Sequence, residues 1–98
     1  MNIETVIEQM NEQAAKAAPI GGTIKFNLDG NIIYIDGTGD KNVLSTEDKD
    51  AQCLIITSIE TLNGVKNGSV NPMMAAMSGK IKIKGDMGFA MKLQSLLG

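Results

Sequence analysis

The sequence predicts an α+β fold in which helices pack as a layer on a mainly antiparallel sheet. Three observations predict it. TIKFNLDGNIIYID, residues 23–36, is a hairpin with a two-residue Asp29-Gly30 turn. GKIKIKG, residues 79–85, alternates lysine and isoleucine with the period of a strand that buries one face. Around these lie segments whose apolar residues recur at helical spacing, and strands mixed with helices in this order build a layered α+β domain. The 98 residues suit a single domain spanning 1–98, because two halves would each be too small for a core. A content of 43% hydrophobic and 20% charged residues points to a packed interior rather than disorder.

Each element follows from local chemistry. Ile3, Val6, Ile7, Met10, Ala14 and Ala17 repeat at helical spacing, giving a first helix that must stop before Pro19. Gly21-Gly22 turns the chain into the hairpin, whose turn sets Phe26 opposite Ile33 and Ile24 opposite Ile35 on one face. The other face mixes Lys25 and Asn27 with Ile32 and Tyr34. Residues 37–50 read as a loop with a short strand at Asn42–Ser45. AQCLIIT, residues 51–57, is nearly continuous in apolar residues and so predicts a central strand. Thr57 and Glu60 have the spacing of a capping box for a helix through Ile59, Leu62 and Val65, closed by Gly68. Asn71-Pro72 starts a short helix bearing Met73, Met74 and Met77. After the strand, Asp86 caps a last helix. Its apolar arc runs from Leu96, Phe89, Leu93, Leu97 and Ala90 to Met87 and Met91, more than one protein-facing stripe requires.

Composition excludes several function classes. There is no histidine, so Ser-His-Asp, Cys-His and histidine-metal arrangements are ruled out. Cys53 sits at mid-strand beside Ala51 and Ile55, with nothing near it in sequence to lower its pKa. Glu47-Asp48-Lys49-Asp50, and likewise Asp36, Asp40 and Asn42, lack the spaced ligands and glycine of a calcium loop. Gly37-Thr38-Gly39 lacks the third glycine and the following helix of a dinucleotide site. The basic charge is nine lysines with no arginine at a net charge of −2, and only Phe26, Tyr34 and Phe89 are aromatic, which argues against nucleic acid as a partner. The acidic, amphipathic start is unlike a targeting peptide, and one cysteine fits a reducing compartment, so a cytoplasmic location is expected. What stands out is apolar: seven methionines, five of them between Met73 and Met91. Methionine packs adaptably, in core gaps and at surfaces that accept varied apolar partners.

The stretch NPMMAAMSGKIKIKGDMGFAMKLQSLLG resembles the end of the sterol carrier protein 2 family of small lipid-transfer domains. The matching features are Pro72, Gly79-Lys80, Gly85-Asp86 and the run Met87-Gly88-Phe89-Ala90-Met91-Lys92-Leu93-Gln94. The first helix, the hairpin and the strand near residues 51–57 agree more loosely, so the resemblance covers nearly the whole chain. It implies a five-stranded sheet with helices on one side and a hydrophobic tunnel between the layers. It also implies non-catalytic binding and transfer of fatty acids, fatty acyl-CoA, sterols or other lipids, with no cofactor. On that footing the residues expected to meet lipid are Phe26, Ile33, Ile35, Met73, Met77, Ile83, Met87, Phe89, Met91 and Leu97. Where the family often has an aromatic residue, this chain has Ala75-Ala76-Met77, which bears on the size of the tunnel.

Lys80, Lys82 and Lys84 project from one side of their strand, and Lys92 follows. Two roles are open to them: keeping an exposed edge soluble, or meeting anionic membranes in transient contact. The competing function is an interaction module in which the apolar last helix seals a homodimer or docks on a partner enzyme.

Overall fold

The computed structural model describes residues 2–86 and 88. Its elements are α1 (Ile3–Lys16), β1 (Thr23–Leu28), β2 (Asn31–Asp36), β3 (Val43–Ser45), β4 (Cys53–Thr57), α2 (Ile59–Asn67), α3 (Pro72–Met77) and β5 (Lys82–Gly85). The strands form one sheet in the order β3-β2-β1-β4-β5. Three of its pairings are antiparallel, and β1 with β4 is parallel. The α+β class and the five-stranded, mainly antiparallel sheet are as expected. The last helix, and with it Met87, Phe89, Met91, Lys92 and Leu97, lies outside the described residues. The Gly88 N–H donates to Asp86 Oδ1 at 2.8 Å.

The hairpin has the register its turn dictates, with Phe26 opposite Ile33 and Ile24 opposite Ile35. Asp29 and Gly30 hold φ of 53° and 90°, the pair of positive values that lets a two-residue turn follow the strand twist. Asn27 Oδ1 accepts from the Gly30 N–H at 2.9 Å, and Asp29 Oδ2 accepts from the Ile59 N–H at 3.0 Å. The hairpin tip is thereby fixed to the first residue of α2.

Parallel pairing of β1 with β4 starts from a reciprocal side-chain clamp. The Thr23 N–H donates to Gln52 Oε1 at 3.0 Å, and the Gln52 N–H donates to Thr23 Oγ1 at the same distance. From there the register runs Ile24–Cys53, Phe26–Ile55 and Leu28–Thr57. The two edges are β3, only three residues long, and β5, which carries lysines. Both devices discourage pairing with a further strand.

One capping assignment changes. The N-cap of α2 is Ser58, whose side chain accepts from the Thr61 N–H at 3.0 Å. Thr57 instead completes the buried side of β4 and donates its hydroxyl to the Lys80 carbonyl at 2.9 Å. Strand alternation turned Thr57 inward, so the next residue took the cap. Gly68 ends α2 with φ 85°, and Asn71 with Pro72 starts α3, both as expected.

Asn42 joins the helical layer to the sheet. It is buried, donates from Nδ2 to the carbonyls of Ala14 and Ala18 at 3.1 Å each, and accepts at Oδ1 from the Ile20 N–H at 3.0 Å. These groups end α1 and turn the chain toward β1. Asn42→Ala should therefore cost about 2–3 kcal/mol, because buried backbone groups lose their partners. Asn42→Asp keeps the size but loses the amide donors, so it should fare no better in thermal unfolding. A melt like the parent's for either variant would refute this role.

Candidate functional site

The helices cover one face of the sheet, and that face is apolar apart from Thr57 at the end of β4. Cross-strand pairing arranges it in rows. Ile83, Ile55, Phe26 and Ile33 run from β5 to β2, and beside them run Cys53, Ile24, Ile35 and Leu44. Ile24, Phe26, Leu28, Ile33, Ile35, Cys53 and Ile55 are all fully buried. The facing layer is built from Val6, Met10 and Ala14 of α1, Leu62 and Val65 of α2, and Ala75 of α3. On α1 those three residues lie four apart, one stripe of a helix. Lys66 of α2 donates to Gln9 of α1, tying the two helices together at the surface.

Polar chemistry is confined to the margins. The buried polar side chains among the described residues are Asn42 and Thr57, both hydrogen-bonded. No buried side-chain nitrogen or oxygen lacks a partner among those residues. Burial, with a smaller contribution from Asp86, pushes the Cys53 thiol above its usual range and so favours the neutral form. Among the described residues no cluster of histidine, cysteine, aspartate or glutamate could hold a metal ion. The arrangement can bury hydrocarbon by contact and exclusion of water.

The expected lipid-contact residues separate into three groups. Phe26, Ile33 and Ile35 lie together on the inner face, with Ile83 half-buried at its β5 end. Met87, Phe89, Met91 and Leu97 fall outside the described residues. Met73 and Met77 are exposed on α3. The reason is local: α3 has six residues and buries a single position, Ala75. The hairpin turn predicts the Ile24–Ile35 pair, whereas the Phe26–Ile55 pair is parallel and has no turn in the sequence to reveal its register.

On the other face, Lys84, Leu54, Lys25 and Tyr34 form a row, beside a second of Lys82, Ile56, Asn27 and Ile32. The acidic loop covers part of it. Asp48 pairs with Lys25 at 2.8 Å, the Tyr34 hydroxyl donates to the Asp50 carbonyl at 3.4 Å, and Lys49 Nζ lies 5.7 Å from the Tyr34 ring centroid. Tyr34, an outer-face residue in the hairpin pattern, is buried by this cover. No helix among the described residues is long and apolar enough to cross a membrane.

Comparison with known proteins agrees with this architecture. A model of the SCP-2 sterol transfer family matches residues 3–98. Sterol carrier protein 2 of Oryctolagus cuniculus is 36% identical over 96% of this chain and 18% of its own length. Hydroxysteroid dehydrogenase-like protein 2 of Xenopus laevis is 33% identical over 97% of this chain and 24% of its own. The chain thus spans at most about a quarter of these curated relatives. Among solved structures, sterol carrier protein 2 like 2 of Aedes aegypti matches with a TM-score of 0.76 at 20% identity, covering 94% of this chain and 93% of that one. The palmitated form of that mosquito protein matches with a TM-score of 0.73 at 21% identity, covering 99% and 95%. With a family match over nearly its whole length, the chain belongs to the SCP-2 sterol transfer family.

Proposed function

We propose that this domain binds a lipid with a long apolar chain, such as a fatty acid or fatty acyl-CoA, between its inner sheet face and its helices. It would carry that lipid without covalent chemistry. The observation that carries this reading is the apolar inner face, seven fully buried side chains with no charged residue among them. Such a face attracts ligands by area and shape rather than by a specific head-group contact. The palmitated relative of the same fold supports a fatty acid as a ligand class. Met87, Phe89, Met91 and Leu97 are proposed to complete the ligand-facing surface, with Phe26, Ile33, Ile35 and Ile83 opposite. The interaction-module reading rested on the apolar last helix, and no observation among the described residues favours it.

Native mass spectrometry tests the proposal. Protein purified without detergent is expected to carry lipid-sized mass adducts. After delipidation, it should take up one palmitate per chain. A chain that emerges bare and fails to bind palmitate or palmitoyl-CoA would overturn the reading.

A further inference from the structure

Among the described residues the thioethers are those of Met10, Met73, Met74 and Met77, and the thiol is that of Cys53. The fold treats them in two ways. Met10 is 2% exposed in the core, and Cys53 is fully buried on β4. Met73, Met74 and Met77 are 75%, 68% and 85% exposed on α3. Met77 follows Met73 by four residues and Met74 by three, so it neighbours both on the helix surface. The short helix α3 thus gathers three accessible sulfurs, while the other described sulfurs are shut away.

Access decides which sulfur meets an oxidant. A thiol reacts with a hydroperoxide as its thiolate. Burial keeps the Cys53 thiol out of reach and, with a smaller contribution from Asp86, in the neutral form. A thioether needs no deprotonation and reacts wherever a hydroperoxide reaches it. Its sulfur lone pair attacks the terminal peroxide oxygen, forming the S–O bond as the O–O bond breaks. Sulfur is oxidised by two electrons, the peroxide is reduced, and the proton leaves on the departing oxygen as water or an alcohol. The sulfoxide formed is polar, and it disrupts a protein where the thioether was packed. On α3 the packed residue is Ala75 instead. The bonds that hold α3 use the main chain and Asn71. Asn71 Oδ1 accepts from the N–H groups of Met73 and Met74, and the Ser78 N–H donates to the Met74 carbonyl at 2.9 Å. The Ala75 carbonyl accepts from the Lys80 N–H at 2.8 Å and the Ile81 N–H at 3.1 Å. Oxygen added at the three sulfurs leaves every one of these bonds in place.

We propose that α3 is a reversible methionine-oxidation site, where Met73, Met74 and Met77 take oxygen from hydroperoxides while Met10 and Cys53 stay reduced. Reversal falls to methionine sulfoxide reductases, which return the thioether as two thiols become a disulfide and the oxygen leaves as water. The site stands whether or not the domain carries lipid. The test treats the full chain, in dilute solution, with hydrogen peroxide and reads each residue by peptide mass spectrometry. A synthetic peptide of residues 70–80 serves as the unfolded reference. Met73, Met74 and Met77 should each oxidise within about threefold of their rate in the peptide. Met10, which reacts only when α1 opens, should lag by on the order of a hundredfold. Cys53 should remain free to alkylate once the treated chain is denatured. The two reductases, each acting on one sulfoxide epimer, should restore the α3 peptide mass without unfolding the chain. Changing Met73, Met74 and Met77 together to glutamine, polar as the sulfoxide is, should leave the melt like the parent's. Met10 or Cys53 oxidising as fast as α3 would overturn the proposal. So would α3 methionines about tenfold or more slower than in the peptide, which would mean that α3 is covered. A glutamine variant that melts well below the parent, or sulfoxides that resist both reductases, would overturn it as well.

Discussion

Phe26→Ala is expected to cost about 3–5 kcal/mol of folding stability. Phe26 is fully buried on β1, the middle strand of the sheet, in the row Ile83–Ile55–Phe26–Ile33. Removing its ring deletes buried hydrocarbon and leaves a void that strands on both sides cannot easily close, since each is fixed by ladder hydrogen bonds. Ile83→Ala, at the half-buried β5 end of the same row, should cost roughly half as much because its site is partly open to water. Urea unfolding of both variants gives the comparison. Equal losses at the centre and the edge would mean that the row is not packed as one unit. Saturating palmitate should recover part of the lost stability if ligand binds the folded state alone.

The legible parts of this fold were those with a local cause. Asp29-Gly30 sets the hairpin register because a two-residue turn with two positive φ values leaves no other pairing. Asn71-Pro72 announces α3 through a cap and a preset φ. What escaped depends on residues distant in sequence. The β1–β4 pairing is held by Thr23 and Gln52, two polar residues with no pattern of their own. Asn42 looked like a deficient metal-loop residue, yet its amide joins α1 to the sheet through groups more than twenty residues away. Tyr34 is buried by a loop whose acidic composition suggests only solvation. The site shows the same division. Period-two spacing identified Phe26, Ile33 and Ile35 as inner-face residues, whereas helical spacing marked Met73 and Met77 as apolar without revealing that they face water.

Affinity for saturated fatty acids is expected to rise about tenfold with every two methylenes, so that four add about a hundredfold, until the chain outgrows its site. The argument starts from the inner face, where the fully buried side chains carry no charge and the polar ones at its margin, Asn42 and Thr57, are already hydrogen-bonded. A carboxylate would find no buried counter-charge among the described residues, and an isolated buried charge is costly. The head group should therefore stay at the solvent side while hydrocarbon supplies the binding energy. A methyl ester of the same chain length should bind about as tightly as the acid, and added salt should change neither strongly. Calorimetric titration of a homologous series tests this, with a negative heat-capacity change as an independent marker of apolar burial. Affinity that is flat with chain length, or lost on esterification, would place the decisive contact at a polar group instead. The length at which the gain stops would then measure the site, and enlarging it through Phe26→Ala should move that limit to longer chains.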